Sequence, residues 1–122
     1  MDNPTIVLGA SPNNERYSYK AVSLLKSLNF KVYAVGKKNG EINGIEIMKD
    51  FEKIPKNNIH TISIYLNEQN QKMWYNQIIE LKPRRVIFNP GAENPELEEL
   101  LNKAGIETLE ACTLVLLRTG QY

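Results

Sequence analysis

The chain has 122 residues and a mass of 14.0 kDa, a length that favours one domain, residues 1–122, around a single core. Hydrophobic residues make up 42% and charged residues 24%, which excludes a disordered chain. Fifteen Lys and Arg against fourteen Asp and Glu leave a net charge of +1, which argues against a general nucleic-acid binder while leaving room for a local anion site.

The first apolar run is Thr5-Ile6-Val7-Leu8, followed by the loop Gly9-Ala10-Ser11-Pro12-Asn13-Asn14-Glu15-Arg16. Ala21, Leu24, Leu25 and Leu28 then fall on one helical stripe. A second run, Lys31 to Val35, ends in Gly36-Lys37-Lys38. Residues 36–60 hold the turn signals Asn39-Gly40 and Asn43-Gly44 around Ile45-Glu46-Ile47, which predict a small turn and an extra strand, then a short helix near Asp50 to Lys53. The third run is Thr61 to Tyr65. A helix is expected from about Glu68 to Leu81, burying Trp74, Ile78 and Leu81 and ended by Pro83. The fourth run, Arg85 to Phe88, leads through Asn89-Pro90-Gly91-Ala92-Glu93 to a helix with Asn94 as N-cap, Pro95 in its first position and Gly105 as its stop. Leu97, Leu100, Leu101 and Ala104 form its apolar stripe. Ile106 to Leu109 is the fifth run, and Cys112 opens a short helix from Thr113 to Leu117.

Nearly continuous apolar strands alternating with helices imply β-α-β units and a parallel sheet covered on both faces. The expected architecture is a single Rossmann-like, three-layer α/β domain with a mostly parallel five-stranded sheet. Ligands of such sheets bind beyond the carboxyl ends of the strands, near the point where strand order reverses. The Gly9 loop lets backbone approach a pyrophosphate and is followed by a helix start, yet it is neither G-x-G-x-x-G nor a Walker A loop. A ribose-binding NAD domain carries an acid after the second strand, where this chain has Lys37-Lys38. Two cations there point to a ligand with an extra phosphate, NADP or coenzyme A, or else form a solvated pair. Asn94 reads as a plain cap and Glu93 as a solvated carboxylate or a site acid.

Taken together and in order, Gly9-Ala10-Ser11-Pro12 with Glu15-Arg16-Tyr17-Ser18, Val35-Gly36-Lys37-Lys38, Pro90-Gly91-Ala92-Glu93-Asn94 and Cys112-Thr113 resemble the stand-alone CoA-binding domain family, over essentially the whole chain. That family is similar to the CoA-binding domain of the succinyl-CoA synthetase alpha subunit. The resemblance implies a Rossmann-like domain that binds coenzyme A at the carboxyl edge. It places the pyrophosphate at Gly9, Ala10 and Ser11 with Arg16 and Ser18 beside it, and the phosphorylated ribose at Lys38 or Lys37. Tyr65 and Leu66 line the adenine side, and Pro90 and Gly91 bound the cleft. Two departures stand out: Gly36-Lys37 replaces an Asn-Pro common in the family, and Tyr65-Leu66 replaces a Phe-Arg, which removes one cation.

The synthetase relatives transfer phosphate through a histidine in a further domain, and neither that domain nor a suitable histidine is expected here. His60 precedes the third strand on the opposite edge and reads as a surface or turn residue rather than a catalyst. Cys112 is either a buried, inert thiol or a cleft residue able to form a mixed disulfide with coenzyme A. One cysteine excludes an intramolecular disulfide, and with one histidine leaves too few ligands for structural zinc. A lone thiol, no apolar run of the ~20 residues that span a bilayer, and the non-signal start Met1-Asp2-Asn3-Pro4 lead to an expected cytoplasmic location. The expected function is non-catalytic binding of coenzyme A or acyl-CoA. A small NADP-binding oxidoreductase and a ligand-free Rossmann scaffold are the alternatives, and a homodimer is a base-rate expectation.

Overall fold

The computed structural model describes residues 3–122. Met1 and Asp2, part of the start considered above, lie outside the described residues. Five strands, β1 (Thr5–Leu8), β2 (Val32–Val35), β5 (Thr61–Ile64), β6 (Arg85–Phe88) and β7 (Glu107–Glu110), match the five apolar runs to within a residue. Two further strands, β3 (Glu41–Ile42) and β4 (Ile45–Met48), extend the sheet, so it has seven strands rather than five. Their order is β3-β4-β2-β1-β5-β6-β7, parallel throughout except for the β3–β4 hairpin.

The extra strands follow from Asn43-Gly44. Both residues adopt positive φ, 47° and 88°, the backbone of a two-residue hairpin turn, and Ile42 faces Ile45 across it. The same turn carries β4 back alongside β2, pairing Ala34 with Ile47 and Val35 with Met48. The expected helix near Asp50 to Lys53 is instead a turn, closed by the Ile54 amide on the Phe51 carbonyl. Phe51 and Ile54 are both buried and three apart, which imitates a helical face, while Pro55 disfavours helical backbone at the residue before it.

Helices cover both faces. On one side α1 (Tyr17–Ser27) and α5 (Thr113–Arg118) bring Val22, Leu25 and Leu117 against Val7, Val32, Ala34 and Ile47. On the other, α3 (Tyr75–Leu81) and α4 (Pro95–Lys103) set Ile78, Leu81, Leu97 and Leu101 against Ile6, Leu8, Ile62, Ile64, Val86 and Phe88. The helix expected from Glu68 to Leu81 is broken into α2 (Glu68–Gln71), a 3-10 turn (Lys72–Trp74) and α3. Gln71 and Trp74 both point inward three residues apart, and a 3-10 turn stacks that spacing on one side. Three stripe residues remain at the surface: Leu28 and Leu100 are 39% and 38% exposed, because Val22 and Leu97 face the sheet more squarely, and Ala104 is exposed at the end of α4. Asn94, Pro95 and Gly105 cap α4 as expected, with Asn94 Oδ1 accepting from the Leu97 amide. Among the described residues, no helix is long and apolar enough to cross a membrane.

Candidate functional site

Strand order reverses at β1, whose neighbours β2 and β5 lead outward in opposite directions. The loops after β1, β2, β4, β5, β6 and β7 all open on this carboxyl edge, and close contacts join them into one rim. A Cβ on Gly36 would lie 2.1 Å from the Ala10 carbonyl oxygen, and one on Gly9 would lie 3.1 Å from both the Tyr65 carbonyl carbon and the Leu66 side chain. Only glycine lets these backbones meet. Gln71 continues the rim, donating to the Leu66 and Ala92 carbonyls at 2.8 and 2.7 Å and accepting from Asn94 at 2.9 Å. At the far end Asn89 donates to Ser63 Oγ and the Ile64 carbonyl and accepts from the Thr113 amide, all within 2.8–2.9 Å.

The donors available to an anion differ from those first expected. The Gly9 and Ala10 amides both donate to the Val35 carbonyl, at 2.8 and 2.9 Å, so these residues shape the turn rather than offer N–H groups. The start of α1 offers more. Arg16 stands at its N-cap without a side-chain cap, and no acid occupies the first turn. The first amides of a helix have no intrahelical acceptor, and the helix dipole is positive there. Arg16 is exposed, Ser11 is half-buried with its Oγ accepting from the Asn13 amide, and Ser18 is buried on the inner side of α1.

Lys37 and Lys38 are exposed beyond β2. A third cation joins them: Lys49 follows β4, and its Nζ donates to the Lys37 carbonyl. Sequence reasoning missed Lys49 because its position at this edge depends on β4 pairing with β2. It also missed Gln71 and Ser63 as rim residues, while Asn89 and Thr113 stood in the segments expected at this edge, without an assigned role. The signal for Ser63 was a serine inside an apolar run.

Tyr65 and Leu66 are half-buried at the β1–β5 crevice. The Tyr65 hydroxyl is buried without a hydrogen-bond partner, beside Ser63 and Thr113, whose hydroxyls bond each other at 2.7 Å. Burial, with a smaller contribution from nearby Cys112, pushes its pKa far above that of ordinary tyrosine, against the weaker opposing pull of the Thr113 and Ser63 hydroxyls. Pro90 and Gly91 are exposed, and Gly91 donates its amide to Glu93 Oε1 at 3.0 Å. Glu93 therefore closes its own loop. Cys112 is a half-buried free thiol at the N-cap of α5. His60 lies at the opposite edge, before β5.

The sheet's six parallel strands, β4-β2-β1-β5-β6-β7, counted among themselves in chain order, follow the doubly wound order 3-2-1-4-5-6, with the start of α1 at the switch point. That is the architecture of a Rossmann-like α/β domain. Residues 4–118 match the CoA binding domain family, and the chain belongs to it. A crystal structure of an uncharacterized protein superposes with a TM-score of 0.94 at 44% identity, covering 100% of this chain and 99% of that one. A Thermus thermophilus protein superposes at 0.85 with 19% identity, over 99% of this chain and 91% of that chain. The dinucleotide forming acetyl-coenzyme A synthetase 1 of Candidatus Korarchaeum cryptofilum, in complex with phosphate and ADP, superposes at 0.70 with 20% identity. It covers 90% of this chain but only 26% of its own, and at that identity the likeness concerns the fold alone. No curated protein matches the chain in sequence.

Proposed function

We infer that the chain is a binding module for coenzyme A or an acyl-CoA, holding the nucleotide at the carboxyl edge of its sheet without catalysing a reaction. The observation that carries this reading is the convergence there of an uncapped α1 start and three lysines, Lys37, Lys38 and Lys49. Coenzyme A has a pyrophosphate and a separate 3′-phosphate, which need two anion sites. The α1 first turn, with Ser11, Arg16 and the Gly9-Ala10 turn that shapes it, receives the pyrophosphate. The lysines receive the 3′-phosphate. Tyr65 and Leu66 flank the adenine. Pro90, Gly91 and Cys112 bound the remaining side, and Ser18 supports the helix start from beneath.

Membership of the CoA binding domain family supports coenzyme A over NADP, which the lysines alone would also admit. Calorimetric titration with coenzyme A, dephospho-CoA, NADP and NAD tests the reading. Coenzyme A is expected to bind, more weakly without its 3′-phosphate. Lys38→Ala should lower affinity by about tenfold, the loss of one charge-assisted contact, while leaving dephospho-CoA binding nearly unchanged. Preference for NADP, or binding of none of the four, overturns it.

A further inference from the structure

A second concavity lies at the opposite edge of the sheet. It is a cleft of about 340 Å³ at the amino ends of β1, β5 and β6, between the loop entering β5 and the turn after α3. Its polar lining is Asn57, Asn58, His60, Lys82 and Arg84, and among the described residues no Asp or Glu lines it. These five groups come from two separate stretches of chain, the loop entering β5 and the turn after α3. The floor is fixed by backbone bonds: the His60 and Thr61 amides donate to the Pro4 carbonyl, and the Arg85 amide donates to the His60 carbonyl.

His60 Nδ1 lies 2.7 Å from Thr61 Oγ1, and Arg85 Nε donates to the same oxygen at 2.8 Å. Thr61 can accept both bonds, or accept from Arg85 and give its own proton to Nδ1. With Thr61 as donor, neutral His60 carries its ring proton on Nε2 and offers an N–H to the cleft. The charged groups facing it are Arg84 and Arg85 at the start of β6, Lys82 after α3, and Glu107 at the start of β7. Burial, then Arg85 and Arg84, hold its pKa below the usual imidazole value against the weaker opposing pull of Glu107.

We propose that this cleft binds a small phosphomonoester, its phosphoryl group held by Lys82 and Arg84 and hydrogen-bonded by His60 Nε2 and the Asn57 and Asn58 amides. Two permanent cations beside a neutral imidazole match the charge of a phosphomonoester near pH 7, about −1.5 to −2. A monocarboxylate would leave one cation unmatched. The volume lies at the low end of the roughly 300–1,000 Å³ of small-molecule sites, which suits a small metabolite rather than a nucleotide. The four-residue strands put roughly 13 Å of sheet between this cleft and the carboxyl edge, so both ligands fit at once.

His60 is the sole histidine, so its ring signals are identified in the NMR spectrum of the full chain without further variants. The probes are inorganic phosphate and glycerol 3-phosphate, with sodium chloride at matched ionic strength as control. Saturable shifts of the His60 ring signals are expected, with an upward movement of its pKa on occupancy, because a nearby anion favours imidazolium. Lys82→Asn keeps a residue suited to the left-handed backbone that Lys82 adopts, φ 51°. Combined with Arg84→Gln, it should weaken the phosphoester by about tenfold or more. Coenzyme A titration on the same variant should be unchanged, which separates this site from the one at the carboxyl edge. Shifts that rise linearly and equal those of sodium chloride, or undiminished binding to the double variant, overturn the proposal.

Discussion

Tyr65 shows how a single side chain carries information about the rim. A buried hydroxyl without a partner destabilises a fold by about 1–3 kcal/mol relative to a satisfied one, and here it faces a pair of hydroxyls already bonded to each other. Tyr65→Phe removes the polar atom and keeps the ring. The urea midpoint is expected to stay constant or rise. A clear fall would mean that the hydroxyl has a stabilising partner in the folded chain. Gly91 lies at the other extreme, since a Cβ there would meet nothing within 4 Å and only its φ of 92° favours glycine. Such residues were legible in different degrees. The glycines stood out at strand ends, whereas the isolation of Tyr65 depends on side chains from β5 and α5 that the sequence separates widely.

Among the elements, the loops after β1 and β2 are the most tightly coupled. Gly36→Ala would drive a methyl group into the Ala10 carbonyl, a backbone atom that cannot rotate away. Overpacking of this kind costs about 1–3 kcal/mol, and relief requires the Gly9–Ser11 turn to shift from the α1 start. Both a lower denaturation midpoint and weaker coenzyme A binding are expected, read from urea unfolding and calorimetry. An unaltered protein would show that the two loops are not in contact. The apolar runs disclosed β1, β2, β5 and β6 because their burial on both faces leaves little alternation. β4 was legible as a strand but not as part of the main sheet, since Ile45-Glu46-Ile47 alternates like an independent hairpin. Its place is decided by pairing with Ala34 and Val35, a nonlocal choice. β3 has two residues, too few for any period to register.

At the scale of the whole molecule, His60 links folding to pH. Its folded pKa lies below its ordinary value, with burial the largest cause and Arg85 and Arg84 next. The unfolded chain therefore takes up this proton more readily, and the stability associated with neutral His60 is present above about pH 6.5 and is lost as pH falls towards the folded pKa. Thermal unfolding between neutral and mildly acidic pH should show a steeper loss for the native chain than for His60→Gln. Parallel profiles would contradict the assignment. The carboxyl edge was locatable before any side chain was placed, because parallel β-α-β order dictates where loops gather. The cleft at the amino edge was not, since Asn57, His60, Lys82 and Arg84 approach one another only when β5 and β6 lie flush, with Thr61 opposite Arg85.

The hairpin at Asn43-Gly44 has a kinetic consequence. Among the described residues, β3 and β4 are the only strand neighbours joined by a tight turn, and every other pairing is parallel. Parallel neighbours meet only after the intervening chain has closed a loop, and β1 must wait for residue 61 to reach residue 5. Folding is therefore slower than for a helical bundle of this length, and the central apolar strands stay exposed until late. A nascent chain in that interval is vulnerable to self-association, and a ligand that needs the finished rim offers it no protection.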